Sequence, residues 1–506
     1  MAQLDAKPNP PGQYPLVVVG SGPGGMQLTY SLTRLGVRHA TISADDAPGG
    51  MFRKWPIFQR MLSWTKPYTG FQPGSREFER HDWNSLAGDE TAHRGLMAGV
   101  MDGSSYFPSR PEMQHGLELF AERTNLRVRY GCRWEATRRE GDDLVLSTSD
   151  GEYRTQRVVF AVGAAEPWRP PIPGLEHAAL YGELRPVQDY ADRRIFIIGK
   201  QNSGFEIASG LLPWARQIIL ASPSSTKLSV ITHSLVGVRA RYVQPVEDSV
   251  LAGGVVILDG SIEEVKRTHD GLHVSIRTTA DRRLQLVVDD VIAATGFTTP
   301  LRDLAELGVT TFGQSRLPAQ TAFWESITVP GIYFAGTITQ GAKGLMKHGI
   351  PSNSGAVQGY RYNARVLARH LAAKQGIQPN RPIIAADEVI PTLLREARYA
   401  PELWHQRSYL ARVISTDPDR GIVDEGILPV AHFLDSEQFG QAAAITLESN
   451  GREDLYPVVY IRQGGKVHEG RLPEEPFLNF ETDEHRAELA GALEPLLSPS
   501  LSRPQP

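Results

Sequence analysis

Cysteine is almost missing from this chain: its 506 residues hold one, Cys132. A lone cysteine excludes an internal disulfide, a Cys-x-x-Cys redox pair and a zinc site built on paired cysteines. An excess of one charge is lacking too, since 53 Lys and Arg against 57 Asp and Glu leave a net −4. Nonspecific nucleic-acid binding needs a basic face that displaces phosphate counterions, so nucleic acid is not an expected partner. No stretch approaches the ~20 consecutive apolar residues that span a bilayer, and residues 1–8 have no apolar leader segment. Residues 501–506 match no retention, lipidation or peroxisomal signal and read as a frayed tail. The expectation is a soluble, cytoplasmic protein with no membrane partner. No cluster of His, Asp and Glu has metal-ligand spacing and no Gly-x-Ser-x-Gly elbow occurs, so no metal is expected.

What the chain does have is length, enough for about three domains at ~150 residues each, and 48 glycines, some of them in a telling order. The β-branched run Leu16-Val17-Val18-Val19 reads as a buried parallel strand, Gly20-Ser21-Gly22-Pro23-Gly24-Gly25 follows at once, and residues 26–32 read as a helix. In that strand–turn–helix context Gly20 permits the tight turn, Gly22 lets backbone approach a pyrophosphate, and Gly25 lets helix and strand pack closely. The helix amino terminus then offers free N–H groups to the phosphates. A second unit repeats the order: Arg194-Ile195-Phe196-Ile197-Ile198, then Gly199-Lys200-Gln201-Asn202-Ser203-Gly204, then a helix from Phe205 and a strand at residues 217–220. Gln201 replaces the middle glycine. One such motif alone is often an ordinary strand–helix turn; two in the right context imply two nucleotides, or one nucleotide and a decayed copy.

Residues 126–130, 144–148 and 153–160 read as antiparallel strands ahead of the Pro-rich crossing at residues 166–174, and strands near 255–258, 273–276 and 284–288 repeat the pattern before Ala294-Thr295-Gly296-Phe297. Each glycine unit thus carries a β-ribbon insertion. A long helix is expected from about residue 355 to 374, then a polar break and ~125 residues of mixed helix and strand.

These residues resemble the two-dinucleotide-binding flavoproteins, and within them the flavin-containing monooxygenase group. The resemblance rests on the two glycine turns, Gly49-Gly50-Met51-Phe52-Arg53, Ala294-Thr295-Gly296-Phe297 and Phe334-Ala335-Gly336. Residues 62–70, 80–86, 199–206 and 359–365 resemble more closely a group of endoplasmic-reticulum flavoproteins and their bacterial relatives. The implied fold class is α/β, with two Rossmann-like domains and a C-terminal α+β region. FAD binding is expected to be split between residues 14–168 and 300–375, the NAD(P)H domain inserted at 169–299, and residues 383–506 left without an assigned role.

The resemblance implies FAD held by Gly20, Gly22, Pro23, Gly24, Gly25, Ser43, Gly50, Met51, Phe52, Arg53, Lys66, Gly163, Thr295, Gly296, Gly336 and Gly355, and NADPH by Gly199, Asn202, Ser203, Gly204, Ser222 and Lys227. NADPH is favoured over NADH because residues 221–227 offer hydroxyls and Lys227 for a 2′-phosphate and no carboxylate for a free ribose; a serine-rich solvated loop is the plain alternative. Lys66, Asn84 and Asp82 are the catalytic candidates on the flavin's face, against readings as a surface lysine, a turn cap and a helix N-cap. Trp64 and Trp83 are candidate cavity walls, and His348 a candidate neighbour of the ring. The sequence departs from the family at three places. Ser43 stands where a ribose-binding acid is expected, with Asp45 and Asp46 just after; Pro186 stands for a linker histidine, and Thr65 for an asparagine.

The expected activity is an FAD- and NADPH-dependent monooxygenase that oxygenates a small molecule, preferably at nitrogen, through a flavin hydroperoxide, with molecular oxygen as co-substrate. The alternatives are an NAD(P)H oxidoreductase or oxidase without oxygen insertion, and a flavoprotein that binds protein partners. A homo-oligomer is left open.

Overall fold

The computed structural model describes residues 7–53, 60–229, 237–450 and 454–497; residues 1–6 and 501–506 of the two ends read above lie outside these. Four short parallel strands form the first sheet, in the order Ile332–Phe334, Val158–Phe160, Val17–Val19, Ala40–Ile42. All are buried, which is why they are apolar throughout rather than alternating. The helix α1 (Pro23–Arg34) leaves the strand Val17–Val19 through the first glycine turn.

Two strands expected from sequence are built differently. Residues 153–160 are not one strand: Gly151–Thr155 belongs to an antiparallel ribbon and Val158–Phe160 to the parallel sheet. The Thr155 hydroxyl accepts from the Arg157 amide at 3.2 Å and donates to the Arg157 carbonyl at 2.8 Å, a local turn that breaks the ladder. Residues 126–130 contribute a single bridge, Arg129 to Ile42, at the sheet's edge.

The second sheet runs Arg283–Val288, Gly271–Thr278, Val255–Thr268, Gln217–Ser222, Arg194–Ile198, Asp290–Ala293, Ala179–Leu180. Its central strands are parallel, and the far half of Val255–Thr268 carries the antiparallel ribbon. Helix α2 (Asn202–Leu211) opens at the second glycine turn. The two chain crossings that join this sheet to the first, Glu166–Pro167 and Phe297–Thr298, pair with each other antiparallel. Thr295 secures them by donating to the Trp168 carbonyl, while the Trp168 amide donates to Gly296 O at 2.8 Å.

Helix α3 (Val357–Lys374) returns across α1. Beyond it the chain forms a five-stranded antiparallel sheet, Gly421–Pro429, Leu410–Asp417, Ala442–Ser449, Leu455–Gln463, Lys466–Arg471. Its faces alternate strictly: Ala443, Ile445 and Leu447 join one core, Ala442 and Ala444 another. The first of these cores is continuous from Leu16, Val18 and Leu28 through Leu367 to Leu393, Ile445 and Leu493, so the carboxy-terminal region shares the core of the first sheet. Among the described residues, no helix is long and apolar enough to cross a membrane.

Candidate functional site

The first glycine turn divides its labour by what each Cβ would meet. At Gly20, with φ +114°, a Cβ would lie 2.6 Å from the Ala161 carbonyl oxygen, and at Gly25 one would lie 2.1 Å from Gly20 O. At Gly24 it would strike the Gly336 backbone at 2.3 Å, and Gly336 itself sits at φ +74°, which favours glycine there. Gly22 alone in this turn faces open space, with nothing within 4 Å, at the N-cap of α1. That cradle, with Pro23 at the first helical position and free N–H groups behind it, fits the pyrophosphate of FAD.

Ser43 ends the strand Ala40–Ile42, buried, with its hydroxyl 2.8 Å from that of Ser21. The Asp45 amide donates to Ser43 Oγ at 3.2 Å, and the Asp45 carboxylate sits 3.6 Å from where a Gly50 Cβ would be, a position also 3.5 Å from Gly22 Cα. A carboxylate therefore stands beside the cradle two residues later in sequence than the family pattern places it. Arg53 pairs with Asp46 at 2.9 Å, on the surface, while Met51 and Phe52 line the main cavity. Gly163 (φ +70°) lies just past the strand Val158–Phe160, near the crossing that Thr295 and Gly296 secure.

In the second unit, Gly199 (φ +122°) approaches the Ala294 carbonyl and Gly204 packs on Gly199 O. Asn202 holds the following loop: its Oδ1 accepts from the Arg239 amide and its Nδ2 donates to Gly237 O, each at 3.0 Å. Ser203 follows it in the first turn of α2. Ser222 closes the strand Gln217–Ser222 with its hydroxyl on Ser224 O, and Lys227 is exposed. Sequence reading missed Asp259, which the sheet register places beside Ser222. Asp259 accepts from Ser225 at 2.7 Å and is ion-paired with the buried Lys200, which holds its carboxyl below the usual range. The pairing arises between neighbouring strands, so no local motif announces it.

A cavity of about 1110 Å³ joins the parts. Its walls include Met51 and Phe52 from the first unit, Arg239 from the second, Gly355 and Gln358 from the start of α3, and Trp404 and Arg407 from the carboxy-terminal region. Gln358 is fully buried and its Oε1 has no hydrogen-bond partner among the described residues. An unpartnered acceptor there suits an imide N–H such as the flavin pyrimidine carries.

The three catalytic candidates separate. Thr65 and Asp82 bridge antiparallel, and alternation sends Trp64 and Trp83 into the cavity while Thr65, Asp82 and Asn84 turn inward, fully buried. Asp82 Oδ1 accepts from the Thr65 hydroxyl at 2.7 Å and from the Asn84 and Ser85 amides at 3.1 and 3.0 Å; Asn84 donates to Thr65 at 3.1 Å and accepts from Ser63. The pair braces the strand whose tryptophans, with ring centroids 5.1 Å apart, face the cavity. Lys66 is exposed, and the structure does not bring it to the cavity wall. His81 does line it, pushed down to about 4 by burial and by Arg80 and Lys66. His348 points away, 3.4 Å from the Tyr456 hydroxyl of the carboxy-terminal sheet.

That sheet also builds the site. Gln406, fully buried, donates to Ser354 Oγ at 3.1 Å and Asn363 Oδ1 at 2.7 Å and accepts from the Asn353 amide at 2.9 Å, fixing the loop ahead of α3. Lys347 is clasped by Glu448, Tyr460 and Glu469, anchoring the neighbouring loop whose Met346 and Ile350 face the cavity. Among the described residues the cavity lining includes Arg80, Arg239, Lys343 and Arg407 and no aspartate or glutamate.

The sequence profile of the pyridine nucleotide-disulphide oxidoreductases matches residues 17–336, more than half of the chain. Mouse FAD-dependent oxidoreductase domain-containing protein 2 is 25% identical over 433 residues, covering 78% of this chain; the chain in turn spans 64% of that protein. Among solved structures, the bacillithiol disulfide reductase of Staphylococcus aureus superposes with a TM-score of 0.56 at 14% identity, over 72% of this chain and 99% of that one. The flavin-containing monooxygenase of Stenotrophomonas maltophilia gives 0.54 at 20% identity with the same coverage. The structural likenesses carry the fold.

Proposed function

The chain belongs to the pyridine nucleotide-disulphide oxidoreductase family and is a flavin-dependent oxidoreductase using FAD and NAD(P)H; from that premise we propose that it is an NADPH-dependent monooxygenase that places one oxygen atom on a nitrogen of a small molecule. The observation that carries this reading is the fate of Cys132. It is the only cysteine, fully buried and 3.3 Å from the Thr148 hydroxyl in the first ribbon. Disulfide chemistry within the chain needs two thiols about 2 Å apart once joined, so the family's usual acceptor is missing. Electrons leaving the flavin then go to oxygen or to a molecule in the cavity.

When bound, FAD supplies hydride acceptance from nicotinamide and the activation of oxygen. The chain's own residues do the rest. Gly22 and the α1 amides would seat the pyrophosphate with Asp45 beside it, and the Gln358 carboxamide would accept a hydrogen bond from the bound flavin. Trp64 and Trp83, braced by Asp82 and Asn84, exclude water from the apolar side of the chamber. A wall with cations and no carboxylate lowers the pKa of a bound amine, keeping it neutral and nucleophilic, which favours nitrogen as the oxygenated atom. Lys227 supports a 2′-phosphate, and Asp259, neutralised by Lys200, does not oppose one.

The test is to purify the yellow protein, reduce it anaerobically with NADPH, admit isotope-labelled oxygen with a panel of amines, and weigh the products. One labelled oxygen in an amine product is the expected result. NADPH consumption fully balanced by peroxide across the panel, or a chain without FAD, overturns it.

A further inference from the structure

We propose that the wall formed by Arg80, Trp404 and Arg407 is an oxyanion-binding subsite, and that the small molecule held in this cavity carries a carboxylate on an apolar, ring-bearing body. The inference rests on the cavity being the substrate chamber of a flavoenzyme and adds the class of molecule it takes.

The two guanidinium groups share one indole. The Arg80 guanidinium carbon lies 3.3 Å from the Trp404 ring centroid, and that of Arg407 lies 5.8 Å from it. Such stacking satisfies the flat face of a guanidinium and leaves its N–H edge for an acceptor. Among the described residues the acceptors are backbone carbonyls: Arg80 donates to Arg398 O and Arg407 to Trp404 O, each at 3.2 Å. Neither arginine has a carboxylate partner among the described residues.

This is not for want of acids nearby. Glu402, two residues before Trp404, is ion-paired with Arg76 at 2.9 Å, and Arg76 also takes Glu396 at 2.6 Å. Glu79, next to Arg80, accepts from the Tyr362 hydroxyl at 2.9 Å and lies 3.4 Å from Arg94. Arg398, the third cation in the cluster, has Glu481. None of these acids lines the cavity and each is matched elsewhere, so Arg80 and Arg407 are left beside the same indole. Burial and the neighbouring guanidiniums bring Arg80 down to about 10, and burial lowers Arg407 as well. Two cations held together in a partly desolvated wall repel, and an anion bound between them relieves that repulsion.

The body of the ligand follows from the rest of the lining. Trp64, Trp83, Met61, Leu62 and Met346 offer aromatic and apolar surface within reach of the same cavity. An arginine fork matches a planar carboxylate bidentately, and the aromatic walls match a flat ring. A nucleotide phosphate is the other source of an oxyanion, but the phosphates of both dinucleotides have their own glycine turns. Arg80 and Arg407 belong to neither; they come from Glu77–His81 and from the segment after Pro401–His405.

Binding of indole-3-acetate and of its neutral isostere indole-3-acetamide to the FAD-loaded protein, measured by calorimetry, tests the subsite. The acid is expected to bind about tenfold to a hundredfold more tightly, as charge-assisted hydrogen bonds require. Arg407→Met should remove that preference and Arg407→Lys restore part of it, with bound FAD per chain as the control for folding. Equal affinity for acid and amide, a preference that survives Arg407→Met, or displacement of the acid by saturating NADP⁺ overturns the proposal, the last assigning these cations to the nucleotide. Failure of NADPH to reduce the flavin would sink the enzymatic reading instead, and leaves the acid–amide comparison free to judge the subsite.

Discussion

Gly22 and Gln201 occupy the same place in the two glycine turns, and the contrast predicts how each site fails. A Cβ at Gly22 would meet no atom within 4 Å, so Gly22→Asp is expected to leave the fold intact and set a carboxylate against the pyrophosphate. Flavin per purified chain, read from visible absorbance, should fall at least tenfold, a loss of about 1.4 kcal/mol or more. Gln201 is exposed at the second turn, so Gln201→Glu should raise KM for NADPH about tenfold with FAD retained. Gly204 would be the wrong choice, because any Cβ there lies 2.3 Å from Gly199 O. Gln406→Leu should cost about 1–3 kcal/mol in urea denaturation, since Ser354, Asn363 and the Asn353 amide lose a buried partner. The glycine turns were legible because backbone constraint is local and leaves a local mark. Gln406, Arg407 and Asp259 were not, because each acquires its role only through a contact made across the chain or between neighbouring strands.

At the scale of elements, the antiparallel bridge between Thr65 and Asp82 corrects the expectation drawn for its own residues. Sequence placed Lys66, Asp82 and Asn84 on one functional face, whereas alternation turns Asp82 and Asn84 away from Trp64 and Trp83, and Lys66 is exposed off the cavity wall. Pattern reading could find the segment but not its parity, since parity depends on which partner strand it joins. The sheet switch at Gln156–Arg157 escaped for a similar reason: the chain runs on without a glycine or proline from Tyr153 to Phe160 while its hydrogen-bond partners change. The short helix bearing Trp404 is tied to the segment bearing Arg80 through Arg76, Glu396 and Glu402. Arg76→Met would strand the largely buried Glu402 and leave Glu396, among the described residues, only Arg412, at 3.7 Å, so a loss of about 3 kcal/mol in urea unfolding is expected. Arg76→Lys, which keeps the charge and gives up the fork, should lose less.

For the whole molecule, three histidines set a pH dependence, His405 buried and His81 and His370 half-buried. Burial pushes His81 and His370 down to about 4 and His405 well below its ordinary value. Between about pH 6.5, where an unfolded histidine titrates, and pH 4, the unfolded chain holds more protons than the folded one. Stability therefore falls as pH drops through that window; the urea midpoint should be lower at pH 5 than at pH 7, and His405→Gln should flatten the slope. The shared core makes a second demand. Removing residues 383–506 should yield no soluble flavin-binding chain, because Leu16 and Val18 lie in one core with Leu393, Ile445 and Leu493; a soluble yellow fragment would contradict this. That same continuity sets a clock on synthesis. Ribosomes add ~5–20 residues per second, so roughly 25 to 100 s pass before the last core helix, Asp483–Leu497, emerges to complete what the strand Val17–Val19 began. The inserted sheet, closed by residue 293, can finish its own hydrogen bonding before that interval ends, while the strand Val17–Val19 waits for the last members of its core.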